Sequence, residues 1–123
     1  MGVYSFSLFI SANTTNSNPA IETINVNRGI ITDIEIYYPL NNNRFGKVWF
    51  FGDGKQLIPI NPNGALTGNG NIQNLYPTVE LFEPLLSFVG INSDLTFDHT
   101  ITAVVTIKEP IKNGSTLYDL QGF

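Results

Sequence analysis

The chain has 123 residues, no cysteine, one histidine and a formal net charge of −4, with 42% hydrophobic and only 13% charged residues. That length suits one domain with a real core and leaves no room for a second, and the lack of cysteine excludes disulfides, thiolate metal sites and cysteine nucleophiles. A pI near 4.6, with six basic residues scattered singly, argues against binding nucleic acid or an anionic membrane through a basic surface.

The first residues, Met1-Gly2-Val3-Tyr4-Ser5-Phe6, lack the basic and apolar regions of a secretory signal, and Phe6 stands where a myristoylation motif needs serine or threonine. No apolar stretch approaches the roughly 18 residues of a membrane span. The expectation is a protein soluble as synthesised. Fifteen asparagines, 11 glycines and 7 prolines supply turns, while Ile, Val, Phe, Tyr and Thr suit strands and alanine is scarce.

Short apolar runs cut by turn signals recur at sandwich-like spacing. Residues 3–10 alternate, with Tyr4, Phe6, Leu8 and Ile10 on one face, and residues 20–26 form a second strand. In the third, Ile30, Ile34, Ile36 and Tyr38 are expected on one face and Ile31, Asp33, Glu35 and Tyr37 on the other. Pro39 and Asn41-Asn42-Asn43 end it. The next strand, 47–51, sets Val48 and Phe50 against Trp49 and Phe51, so both faces are apolar. Trp49 points either into the core or toward a partner.

Gly52-Asp53-Gly54 reads as a tight hairpin turn, followed by an edge strand at 56–60 limited by Pro59. Turns at Asn61-Pro62-Asn63-Gly64 and Asn69-Gly70-Asn71 flank a short segment at 65–67. Residues 78–91 have partly helical spacing, but Pro84 interrupts them, so two extended pieces around a bend are expected. Residues 99–107 form a last strand, with Ile101, Ala103, Val105 and Ile107 inward. The whole reads as an all-β, single-domain antiparallel sandwich, jelly-roll-like, of about eight strands spanning 1–108. A C-terminal extension, 109–123, follows, with Ile111, Leu117, Tyr118, Leu120 and Phe123 seeking burial on their own domain or on a neighbour.

Residues able to do chemistry are few. His99 beside Asp98 is the only pairing suited to general base work, and a histidine hydrogen-bonded before a strand is the simpler reading. Asp94, Asp98 and Asn92 offer oxygen ligands of the kind calcium takes, yet without an EF-hand series, and one histidine without cysteine excludes an ordinary structural zinc site. The glycines at 52/54 and 68/70 open no helix and so make no phosphate cradle. No cofactor or metal is expected. Sequons at Asn13 and Asn113 matter only in an exported protein.

The segments Arg28-Gly29-Ile30-Ile31 through Tyr38-Pro39, Gln56-x-Ile58-Pro59-x-Asn61-Pro62-x-Gly64, Gly68-Asn69 and Asp98-His99-x-Ile101-x-Ala103-Val104 resemble a small jelly-roll protein type encoded among virion structural genes of tailed viruses. The resemblance spans about residues 20–107, and this chain departs from the type in its asparagine content and its longer C-terminal segment. It implies a non-enzymatic capsid decoration or other virion surface component, located on the virion, that binds coat proteins and forms a homo-oligomer. In that setting Asp98-His99 is a structural turn. Candidate interface residues are Tyr37, Trp49, Phe51, Leu117, Tyr118 and Phe123. The alternative is a lectin-like module, since jelly rolls present aromatic and amide side chains to carbohydrate. A cupin-like enzyme fails for want of metal-binding histidines.

Overall fold

A computed structural model describes residues 2–61 and 63–109. Among the described residues there are ten strands and no helix. In chain order they are β1 (Gly2–Ile10), β2 (Ala20–Asn25), β3 (Gly29–Tyr37), β4 (Gly46–Gly52), β5 (Lys55–Ile58), β6 (Leu66–Thr67), β7 (Ile72–Leu75), β8 (Val79–Leu81), β9 (Leu85–Asn92) and β10 (His99–Lys108). One sheet runs β1-β10-β3-β7, with β8 continuing β7 along the same edge of β3. The other runs β2-β9-β4-β5, with β6 likewise beside β5 on β4.

The antiparallel pairs are nested. β1 pairs with β10, β2 with β9, β3 with β7 and β8, and β4 with β5 and β6, as in one long hairpin whose arms have been rolled up together. The contacts β10·β3 and β9·β4 then close the roll into two sheets. This is the jelly-roll order of eight strand positions, two of them shared by broken strands. The break at Glu83-Pro84 sends β8 and β9 to different sheets.

Alternation fills the core from both inner faces: Phe6, Leu8 and Ile10 of β1 meet Val48, Phe50, Leu86 and Phe88 of the facing sheet. Phe50 and Phe88, directly paired across β4 and β9, stack at 4.7 Å, and Phe6 meets both edge-on at 5.7 and 5.8 Å. Asp53 and Gly54, at φ 52° and 75°, make the two-residue turn expected between β4 and β5. At the open edge between the sheets, Glu22 of β2 accepts the Ser7 amide of β1 at 2.8 Å, which caps a donor an edge strand would leave exposed.

Two orientations differ from the sequence expectation. Asp33 faces Thr106 while Ile31 faces Ile107, so Thr32 is an extra residue in β3. This bulge reverses the alternation: Ile31 turns into the core and Ile30 is left half-buried. In β4 it is Val48 and Phe50 that fill the core, so Trp49 does not point inward as one reading allowed. It lies half-buried on the outer face.

Candidate functional site

The loops at residues 11–19, 38–45, 68–71 and 93–98 gather at one end of the roll, because Ile10 pairs with His99, Tyr37 with Ile72 and Gly46 with Asn92. Backbone hydrogen bonds join them into one plate. Asn13 donates to Asp94 at 2.8 Å, Asn92 to Thr14 at 2.9 Å, Ser93 to Phe45 at 3.1 Å, Arg44 to Gly68 at 3.2 Å and Gly70 to Pro39 at 3.0 Å. Two fully buried asparagines pin this plate to the core. The Asn42 amide donates to the carbonyls of Gly46 (3.1 Å) and Gly68 (2.7 Å) while its oxygen accepts the Gly46 amide (3.0 Å). Asn92 does the same with the carbonyls of Ile10 (3.2 Å) and Phe97 (2.9 Å) and the amide of Asp94 (3.0 Å).

From this plate Leu40 (84% exposed), Leu95 (78%), Phe97 (61%) and Phe45 (40%) project into water. A slack loop would fold such side chains back onto the protein. These are held out by a backbone whose amides and carbonyls are tied from below, and preorganised apolar groups bind at low entropic cost. Sequence reasoning missed all four. The available signal was their position: Leu40, Leu95 and Phe97 interrupt turn-forming segments where strand periodicity gives an apolar residue no reason to be.

His99 opens β10 at 2% exposure, and its partner is Asp94, not Asp98: Nε2 lies 3.0 Å from the Asp94 carboxylate. Nδ1 is buried with no hydrogen-bond partner among the described residues. Neither ring nitrogen is open to a substrate. Asp94 also accepts the amides of Thr96 (2.9 Å) and Phe97 (3.2 Å), and these, Thr96 foremost, together with His99 hold its carboxyl below the ordinary carboxylate value. Asp98 accepts the Ala12 amide at 2.8 Å. The oxygens considered for calcium are thus engaged in shaping the loops, and among the described residues no three acidic, histidine or cysteine side chains converge.

The sequence candidates do not form one patch. Tyr37 is exposed on the outside of the β1-β10-β3-β7 sheet, where its hydroxyl donates to Glu35 at 2.8 Å. That bond, aided by the carboxylate charge, raises its pKa. Trp49 and Phe51 lie on the outside of the other sheet. Around them are Val89, paired directly with Trp49 on one side and Ile21 on the other, and the exposed Leu85. Leu117, Tyr118 and Phe123, with the rest of the extension from residue 110, lie outside the described residues.

Beside Trp49 the outer face is hollowed into a groove of about 650 Å³. One wall is the turn at 59–64, which Gln56 gathers by donating to the carbonyls of Pro59 (2.8 Å), Asn61 (3.0 Å) and Gly64 (3.0 Å). Ile91 and Lys47, paired across β9 and β4, continue the floor. Among the described residues, no helix is long and apolar enough to cross a membrane. Compared with protein-family models and with curated proteins, the chain matches none.

Proposed function

We propose that this chain is a non-enzymatic assembly protein, a jelly-roll subunit that decorates a capsid or forms another part of a virion surface, with its loop end docked on neighbouring coat subunits. The observation that carries the reading is the rigid display of Leu40, Leu95 and Phe97 on the hydrogen-bonded plate. Burial of each is worth about 1.5–3 kcal/mol, and a few such anchors dominate most protein interfaces. The sequestration of His99 favours assembly over catalysis, and the exposed Phe51, Leu85 and Ile21 on the outer face of the other sheet offer a second contact for a homo-oligomer. The virion setting rests on the resemblance of the strand and turn segments.

The test is to isolate the chain from its producing cells under native conditions, weigh its complexes and image them. An ordered particle in which the loop end faces neighbouring subunits supports the reading. A free monomer in the native extract, or attachment through another face with the loop end bare, overturns it.

A further inference from the structure

The groove over Trp49 brings an aromatic ring together with several amide side chains. Its floor combines the indole with Ile91, its walls carry the uncharged Asn16, Asn63, Gln56 and Thr67, and Lys47 brings the one charge among the described residues. Among the described residues, no aspartate or glutamate lines it. Its volume falls within the roughly 300–1,000 Å³ typical of small-ligand sites. The side chains come from separate elements: Asn16 from the β1–β2 loop, Trp49 from β4, Gln56 from β5, Asn63 from the turn before β6 and Thr67 from β6.

Chemically, this combination calls for a ligand with an apolar face and a rim of groups that both donate and accept hydrogen bonds. A pyranose ring is such a ligand: its axial C–H face packs on an indole, and its hydroxyls satisfy the amides of Asn16 and Asn63, which carry donor and acceptor on one group. A cation lacks the carboxylates it would need, and a purely apolar partner would strand the amides. We propose that this groove is a carbohydrate subsite, taking one hexopyranose unit of a glycan against Trp49. Cleavage is not part of the proposal, because glycoside hydrolysis ordinarily needs two carboxyl groups flanking the bond, and the described lining residues supply none.

The wall is built in advance. Gln56 spends its amide protons on the carbonyls of Pro59, Asn61 and Gly64, and Gly64 donates to Asn61 at 2.9 Å, so the neighbours of Asn63 are tied down at the groove's rim. Lys47 favours a sugar bearing a carboxylate over its neutral counterpart. The proposal does not rest on the assembly reading, although the groove adjoins surfaces that reading uses: Asn16 belongs to the 11–19 loop, and Trp49 shares its outer sheet face with Phe51.

Trp49 is the chain's only tryptophan, so its emission reports the site directly. The full chain is titrated with soluble oligosaccharides of hexoses, N-acetylhexosamines and uronic acids up to about 10 mM, following emission and backbone amide shifts. The expected result is a saturable emission change with one sugar class and amide shifts confined to residues around Trp49, Gln56 and Asn63. Trp49→Ala, followed by amide shifts, weakens binding about tenfold or more, the scale of one lost aromatic contact. If Trp49→Ala fails to fold, Asn63→Ala, which alters only an exposed turn residue, must weaken binding without changing the melting temperature. No response from any sugar, shifts that map elsewhere, unaltered binding by the variants, or a protein neighbour filling the groove in the native assembly overturns the proposal.

Discussion

Asn42 in the 38–45 loop and Asn92 at the end of β9, two fully buried amides, make the same set of bonds: each donates to two backbone carbonyls and accepts one backbone amide. Each therefore replaces a piece of backbone ladder at the point where the chain leaves its sheet. Leaving a buried backbone group unpaired costs roughly 1–3 kcal/mol. Asn92→Ala is expected to destabilise the fold by about 2–4 kcal/mol, read from urea denaturation. Asn92→Asp, of the same shape but with no donor for the Ile10 and Phe97 carbonyls, is expected to lose a comparable amount. A loss under about 0.5 kcal/mol in both would remove the asparagine from its pinning role.

The exposed residues of the same plate are expected to behave oppositely. Leu40→Ser and Leu95→Ser remove side chains that are largely in water, so the double variant should unfold at the same denaturant concentration as the parent, within about 0.5 kcal/mol. Its association with other chains, followed by sedimentation, should weaken by an order of magnitude or more. A variant that loses stability and keeps its association would place these leucines in the domain's own packing.

The inner architecture was legible from alternation and turns because those signals are local. Phe6, Leu8 and Ile10 sit inward as the period of two requires, Asp53-Gly54 turns as its left-handed preference requires, and Pro84 breaks the helix-like run. What escaped depended on partners distant in sequence. The bulge at Thr32 is defined by the register with Thr106 and Ile107. Trp49 could not be oriented because its strand is apolar on both faces, and only the pairing of Phe50 with Phe88 decides which face is the core. Likewise His99 finds Asp94 across a loop in place of its chain neighbour Asp98. The candidate surface was legible only in part: Trp49 and Phe51 do face outward, whereas Tyr37 belongs to the opposite side of the sandwich.

The aromatic cluster gives a prediction confined to the core. Phe88→Ala should cost about 3–5 kcal/mol, through lost burial and the cavity left beside Phe50 and Phe6. In a double-mutant cycle, Phe50→Leu and Phe88→Leu should show a coupling of about 0.5–1.5 kcal/mol, the amount an offset ring pair contributes beyond area. Additive losses would show that the stacked geometry contributes nothing of its own.

The last prediction concerns acid. Asp94 accepts the amides of Thr96 and Phe97 and faces His99, and its carboxyl is held below its ordinary value of 3.8, the Thr96 amide contributing most. A carboxyl that binds its proton less readily folded than unfolded adds stability above its unfolded pKa, and that contribution is lost as pH falls through the lower folded value. The loop end should therefore weaken as pH falls through and below the ordinary value of 3.8, and the residues that loosen first should be those Asp94 ties, 96–99. Asp94→Asn keeps an acceptor for the two amides but cannot titrate. Its melting temperature should accordingly be lower than the parent's at neutral pH and fall less steeply on acidification, so that the two curves converge at the acid end. Amide hydrogen exchange at Thr96 and Phe97, measured across the same range, separates this local loosening from general acid unfolding. Parallel melting curves for parent and variant would mean that the carboxylate is a bystander and that the loop is held by Asn92, Asp98 and the backbone bonds of the plate.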